Sequence, residues 1–116
     1  MPEHEDVAEL LTAERTDTLQ RLTGLERELA GIIESSSAAS TDDEHDPEGA
    51  TIAFERQHTA ALLSQARQHL AEIDAAMARL AAGSYGTCES CGQPVSAARL
   101  AARLVTTTCI TCASRR

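Results

Sequence analysis

Residues 62–91 read LLSQARQHLAEIDAAMARLAAGSYGTCESC, and two physical patterns meet in that stretch. Up to Leu80 the apolar residues recur every three or four positions (Leu62/Leu63, Ala66, Leu70, Ile73, Ala76/Met77, Leu80), the spacing of one buried helix face. Gly83 predicts the stop, because glycine adopts the left-handed backbone that closes a helix. Working backwards, the same stripe reaches Ile52. Its start is marked by Asp46, which caps free N–H groups, and by Pro47, which has no N–H to lose at a first helical position. The stripe is rich in alanine, so a leucine-rich partner helix approaches it closely.

That partner lies upstream. Val7, Leu10/Leu11, Leu19, Leu22, Leu25, Leu29 and Ile32/Ile33 follow helical spacing. With Leu22 and Leu29 at a positions, and Leu11, Leu25 and Ile32 at d, they form a coiled-coil seam. Arg15 and Thr18 interrupt the seam, which predicts that the N-terminal turns are less tightly held. Gly31 weakens the far end, and Ser35-Ser36-Ser37 is expected to end the helix. Two helical stretches of about 27 and 33 residues, joined by a polar segment of about 12, predict an antiparallel hairpin with arms roughly 40–50 Å long. A monomer is expected, with dimerisation through the hairpin's outer face as the alternative.

Downstream of the helices stand Cys88-Glu89-Ser90-Cys91 and Cys109-Ile110-Thr111-Cys112, separated by 17 residues. This falls within the Cys-x2-Cys-x15–20-Cys-x2-Cys pattern of a tetrahedral zinc site. Gly86 and Gly92 flank the first pair, where positive φ lets the backbone fold round a metal and aim N–H groups at sulfur. Four thiolates leave no coordination position for a substrate water, so one structural Zn²⁺ is expected. Four thiolates and Zn²⁺ together carry a charge of about −2, which Arg99, Arg103, Arg115 and Arg116 offset unless they contact a partner. Ser96 is expected to cap a short helix with Leu100 and Leu104 inward and Arg99 and Arg103 outward. The expected fold class is mainly α: an antiparallel helical hairpin (coiled coil) over residues 1–82, with its acidic tip at 35–50, and a small C-terminal four-cysteine zinc-finger module over 83–116.

Composition narrows the function. The 116 residues hold 10 Lys+Arg against 18 Asp+Glu, a net charge of −8, and Phe54 and Tyr85 are the only aromatics. The 42% hydrophobic fraction is mostly Ala and Leu, which suits helix seams and not a wide enclosed catalytic core; no enzymatic activity is expected. The acid excess repels a nucleic-acid backbone and an anionic membrane. No stretch approaches the roughly 20 apolar residues needed to span a bilayer. An acidic start, Met1-Pro2-Glu3-His4-Glu5-Asp6, without an apolar run after it predicts no secretory signal, and paired cysteines then read as ligands in a reducing cytoplasm.

The charge is unevenly spread. Residues 1–50 hold 14 acids and 3 bases, whereas 51–116 hold 4 acids and 7 bases. The densest block is residues 41–48, Thr41-Asp42-Asp43-Glu44-His45-Asp46-Pro47-Glu48, with five acids and no base. Read alone, such a block is a solvated loop in which Asp46 caps a helix.

Taken together, the helical hairpin, the acidic turn with Asp46-Pro47, Gly83-Ser84-Tyr85-Gly86-Thr87-Cys88-Glu89-Ser90-Cys91-Gly92, Ala98-Arg99-Leu100 and Cys109-Ile110-Thr111-Cys112 resemble the DksA/TraR family of bacterial zinc-finger transcription factors. The resemblance spans about residues 7–112 and is most specific over 85–112. It implies zinc ligation by Cys88, Cys91, Cys109 and Cys112. It also implies binding to RNA polymerase and not to DNA, with the hairpin in the secondary channel and the zinc module at its rim. Asp42, Asp43 and Asp46 would then be the tip residues near the catalytic Mg²⁺. The family's Asp-x-x-Asp-x-Ala tip pattern is not matched: counted from Asp43, Asp46 fits the second acid and Glu48 stands at the alanine. Two other readings stay open, a zinc-ribbon nucleic-acid binder, against which the acid excess argues, and a redox switch in which oxidation ejects zinc.

Overall fold

The computed structural model describes residues 4–38 and 47–115. Among them are four helices: α1 (His4–Ala38), α2 (Pro47–Ala82), α3 (Ala97–Ala102) and α4 (Ile110–Ser114). They contain no strand, only one antiparallel bridge, between Thr87 and Pro94. No described helix is long and apolar enough to cross a membrane.

The two long helices run 35 and 36 residues, further than the spacing alone suggested. Ser35-Ser36-Ser37 does not end α1, which continues to Ala38. Serine costs a helix only about 0.5 kcal/mol per residue relative to alanine, and neither glycine nor proline follows to break the turn. Gly31 is likewise passed through. At the other boundary Gly83 stops α2 as expected, with φ of 84°. Ser84 N–H donates to the Arg79 carbonyl at 2.9 Å and Gly83 N–H to that of Leu80 at 3.2 Å, the paired bonds of a Schellman closure. The Asp46 cap lies outside the described residues.

The chain divides into two compact units, one of Met1–Thr16 with Leu70–Arg116 and one of Asp17–His69. In the second unit α1 and α2 pair antiparallel: Leu25, Leu63 and Ala66 are buried, with Leu22, Leu29 and Leu62 packed against them. The small Ala66 is 2% exposed, as close approach of the helices requires. Thr18 and Thr59 are buried as well. An exposed Glu26–Arg67 pair at 3.6 Å adds little.

In the first unit Val7 and Leu11 of α1 are buried with Ile73, Ala76 and Leu80 of α2, and Tyr85, Leu104 and Val105 pack onto that cluster. The N-terminal turns are therefore not loosely held: Leu11 and Ile73 are fully buried. The post-helical segment covers them, a long-range contact that the seam alone did not reveal. Arg15, expected to interrupt the packing, instead reaches across to Asp74, its Nε donating to the carboxylate at 2.7 Å.

Candidate metal centre

The geometry around the cysteines starts from glycine. Gly86 and Gly92 have φ of 85° and 76°, a conformation L side chains rarely adopt. They let the chain reverse within a few residues: Val95 N–H donates to the Gly86 carbonyl at 2.8 Å, Cys88 N–H to that of Gln93 at 2.8 Å and Gly92 N–H to that of Cys88 at 2.9 Å. The resulting knuckle fixes Cys88 and Cys91 on one side of a tight turn. The second pair sits at the start of α4, with Cys109 as its N-cap residue and Ala113 N–H donating back to the Cys109 carbonyl at 3.0 Å.

These two turns bring all four expected ligands together. The sulfurs of Cys88, Cys91, Cys109 and Cys112 lie within 4.8 Å of one another. The Cys91 and Cys109 sulfurs are 3.8 Å apart, far from the roughly 2.05 Å of a disulfide. A tetrahedron with Zn–S bonds of about 2.3 Å has edges of about 3.8 Å, so the donor set fits a four-thiolate zinc ion. No fifth donor is needed, and the arrangement supports one structural zinc. It is a closed site, unsuited to activating water.

The titration of the thiols points the same way. Backbone N–H groups of Cys109 and Cys91, with a smaller contribution from Ser90, aim at the Cys88 sulfur and lower its pKa to about 6 against the opposing effect of burial. Cys109 is lowered chiefly by the Cys112 N–H. Cys112 is pushed up to about 12, because Cys109, Cys91 and Cys88 hold its proton by hydrogen bonding. Four sulfurs this close cannot all ionise unaided; a dication supplies the missing positive charge.

Around the site runs a strap, residues 104–108, whose carbonyls are taken up by donors from several elements. The Tyr85 hydroxyl donates to the Leu104 carbonyl at 2.8 Å, Arg79 to that of Val105 at 3.5 Å and Glu89 N–H to that of Thr107 at 2.9 Å. Arg99 Nε donates to the Thr108 carbonyl at 2.8 Å. Arg99 therefore does not point outward as expected: Ser96 caps α3 by accepting from Arg99 N–H, and the guanidinium closes on the residue before Cys109. Arg103 is exposed as expected. Leu100 is buried with Cys88 and Val95, whereas Leu104 lies beyond α3 and packs on the helix pair.

Tyr85, Arg79 and Thr108 carry positions that sequence reasoning left without a structural role. Of the three only Tyr85 stands out in the sequence, as one of two aromatics and as the start of the stretch that resembles the family most specifically. Asp42, Asp43, Glu44, His45 and Asp46 lie outside the described residues.

Comparison with known proteins agrees with this geometry. Residues 83–116 match the family model described as the prokaryotic dksA/traR C4-type zinc finger. The structure of transcription factor DksA2 from Pseudomonas aeruginosa superposes with a TM-score of 0.81 at 29% identity, over 97% of this chain and 81% of that one. No curated protein sequence matches the chain.

Proposed function

We propose that this chain, of the DksA/TraR family by its zinc finger and its fold, is a transcription factor that acts by binding RNA polymerase. The single observation that carries this reading is the union of a closed four-thiol cluster with an antiparallel helix pair in the DksA arrangement. Zinc held by Cys88, Cys91, Cys109 and Cys112 supplies structural order only; the chain's own residues do the rest.

In this reading the hairpin enters the polymerase secondary channel. The unit of residues 17–69 supports it, because its described residues are two helices and nothing else. At about 10–12 Å per helix such a body is narrow enough for a confined passage. The joining segment brings Asp42, Asp43 and Asp46 to the passage's metal-dependent end, where carboxylates perturb Mg²⁺ coordination or the elements that fold over substrate. Glu44 and Glu48 add to the field. The protein turns over no substrate, works in the cytoplasm and makes no direct contact with DNA, whose backbone its net charge of −8 repels.

The test pairs binding with transcription. Protein carrying Asp43→Ala and Asp46→Ala is expected to bind core polymerase as the parent does, while losing its effect on initiation in a purified system. Unchanged transcription by that variant removes the tip assignment, and absence of binding by the parent removes the whole reading. A gel shift with DNA and RNA at low salt separates the nucleic-acid alternative.

A further inference from the structure

Cys109 is placed by its neighbours more than by its own helix. Helix α4 has five residues, well short of the about 12 that an isolated helix needs to hold itself, and the Cys109 side chain makes no capping bond to it. The strap comes immediately before Cys109, and bonds from two elements hold its end. Glu89 N–H, inside the first Cys-x-x-Cys turn, donates to the Thr107 carbonyl at 2.9 Å. Arg99 Nε donates to the Thr108 carbonyl at 2.8 Å, and the Thr106 hydroxyl donates to the same oxygen at 3.2 Å. Thr108 is buried, so water is a poor substitute for a lost donor there. Arg99 is itself anchored: its backbone N–H donates to the Ser96 hydroxyl at 3.2 Å, and the next residue, Leu100, is buried with Cys88 and Val95. One residue of α3 thus packs beside the first cysteine pair while its neighbour reaches to the second.

We propose that Arg99 is a positioning residue for the metal, its Nε bond to the Thr108 carbonyl holding Cys109 where a zinc ion shared with Cys88 and Cys91 needs it. The Thr108 carbonyl belongs to the rigid peptide plane that ends at the Cys109 Cα. Fixing that oxygen therefore fixes the base of a ligand side chain. The Cys91 and Cys109 sulfurs stand 3.8 Å apart, the edge of about 3.8 Å that four Zn–S bonds require. Groups that orient ligands from behind in this way typically change metal affinity by about 10–100-fold. A guanidinium also attracts the anionic sulfur cluster by charge alone. The two effects separate chemically, because an amide supplies the N–H without the charge.

The experiment follows zinc leaving the full zinc-loaded chain for an excess of a chromophoric chelator, reading both the release rate and the affinity by competition. Arg99→Met keeps an unbranched side chain but removes the donor, and is expected to release zinc at least about tenfold faster and bind it correspondingly more weakly. Arg99→Gln sets an amide N–H the same number of bonds from Cα as the arginine Nε, and is expected to hold zinc nearly as the parent does. Arg103→Met removes an equal charge from an exposed position and is expected to leave release unchanged. Far-UV circular dichroism, dominated by α1 and α2, verifies that each variant keeps its helices. An Arg99→Met protein that retains zinc like the parent overturns the proposal. So does an Arg99→Gln protein that loses zinc as fast as Arg99→Met, which assigns Arg99 to charge balance alone.

Discussion

The Tyr85 hydroxyl donates to the Leu104 carbonyl at 2.8 Å, while its ring packs at once on the helix-pair cluster and on the cluster beside the cysteines. One side chain therefore joins the ends of the long helices to the zinc-finger segment. Tyr85→Phe keeps the packing and removes the bond, and is expected to cost about 1 kcal/mol. Tyr85→Ala removes both and should cost more, read by urea denaturation of the zinc-loaded protein.

The same residue sets a limit at high pH. Burial raises the Tyr85 pKa, an effect that Arg79 opposes and Glu14 reinforces. The unfolded chain then loses this proton before the folded one does, so its contribution is intact below the ordinary tyrosine pKa near 10 and is lost as pH rises through the folded value. Denaturation midpoints of the parent should fall across that alkaline window, and those of Tyr85→Phe should fall less.

Metal content gives a direct reading of the sulfur cluster. One Zn²⁺ per chain is expected by atomic absorption, and Cys112→Ala is expected to abolish tight binding, because three thiolates leave the ion open to water. Chelation should disorder residues 83–115, since metal binding and local folding are one equilibrium in such modules. Hydrogen exchange should show protection lost there before it is lost at Leu63 and Ala66.

The coiled seam and the knuckle were legible in the sequence because each follows a local rule. Leu25, Leu63, Ala66, Ile73, Ala76 and Leu80 obey a helical period, and all six are buried. Gly83, Gly86 and Gly92 stand where chain reversal needs positive φ, and all three have it. Contacts set by tertiary packing were not legible. Thr18, expected to interrupt the seam, is buried within it, and Leu10 fits the stripe yet is 49% exposed. The turn of Arg99 towards Thr108 depends on where the strap passes, which no spacing encodes. Ser35-Ser36-Ser37 does not end α1, because serine's helix preference is only slightly weaker than alanine's and is not a break.

Two glycines in α1 offer a stability gain. A Cβ added at Gly24 or Gly31 would meet nothing within 4 Å, and both positions are helical. Gly24→Ala and Gly31→Ala should each stabilise the protein by about 0.5–1 kcal/mol. The gains should add in the double variant, read as a higher thermal midpoint. Conversely, Ile73→Ala opens a cavity at a fully buried site and is expected to cost about 2–5 kcal/mol.

The central claim concerns where the acidic bend goes. Purified core polymerase with Fe²⁺ in place of its catalytic Mg²⁺ generates hydroxyl radicals that cut only nearby chain. Bound protein, end-labelled and cleaved in this way, should be cut within residues 42–48, and cutting should vanish when the polymerase is omitted. Cleavage confined to the cysteine-bearing segment, or none in a complex shown to be bound, would contradict the account.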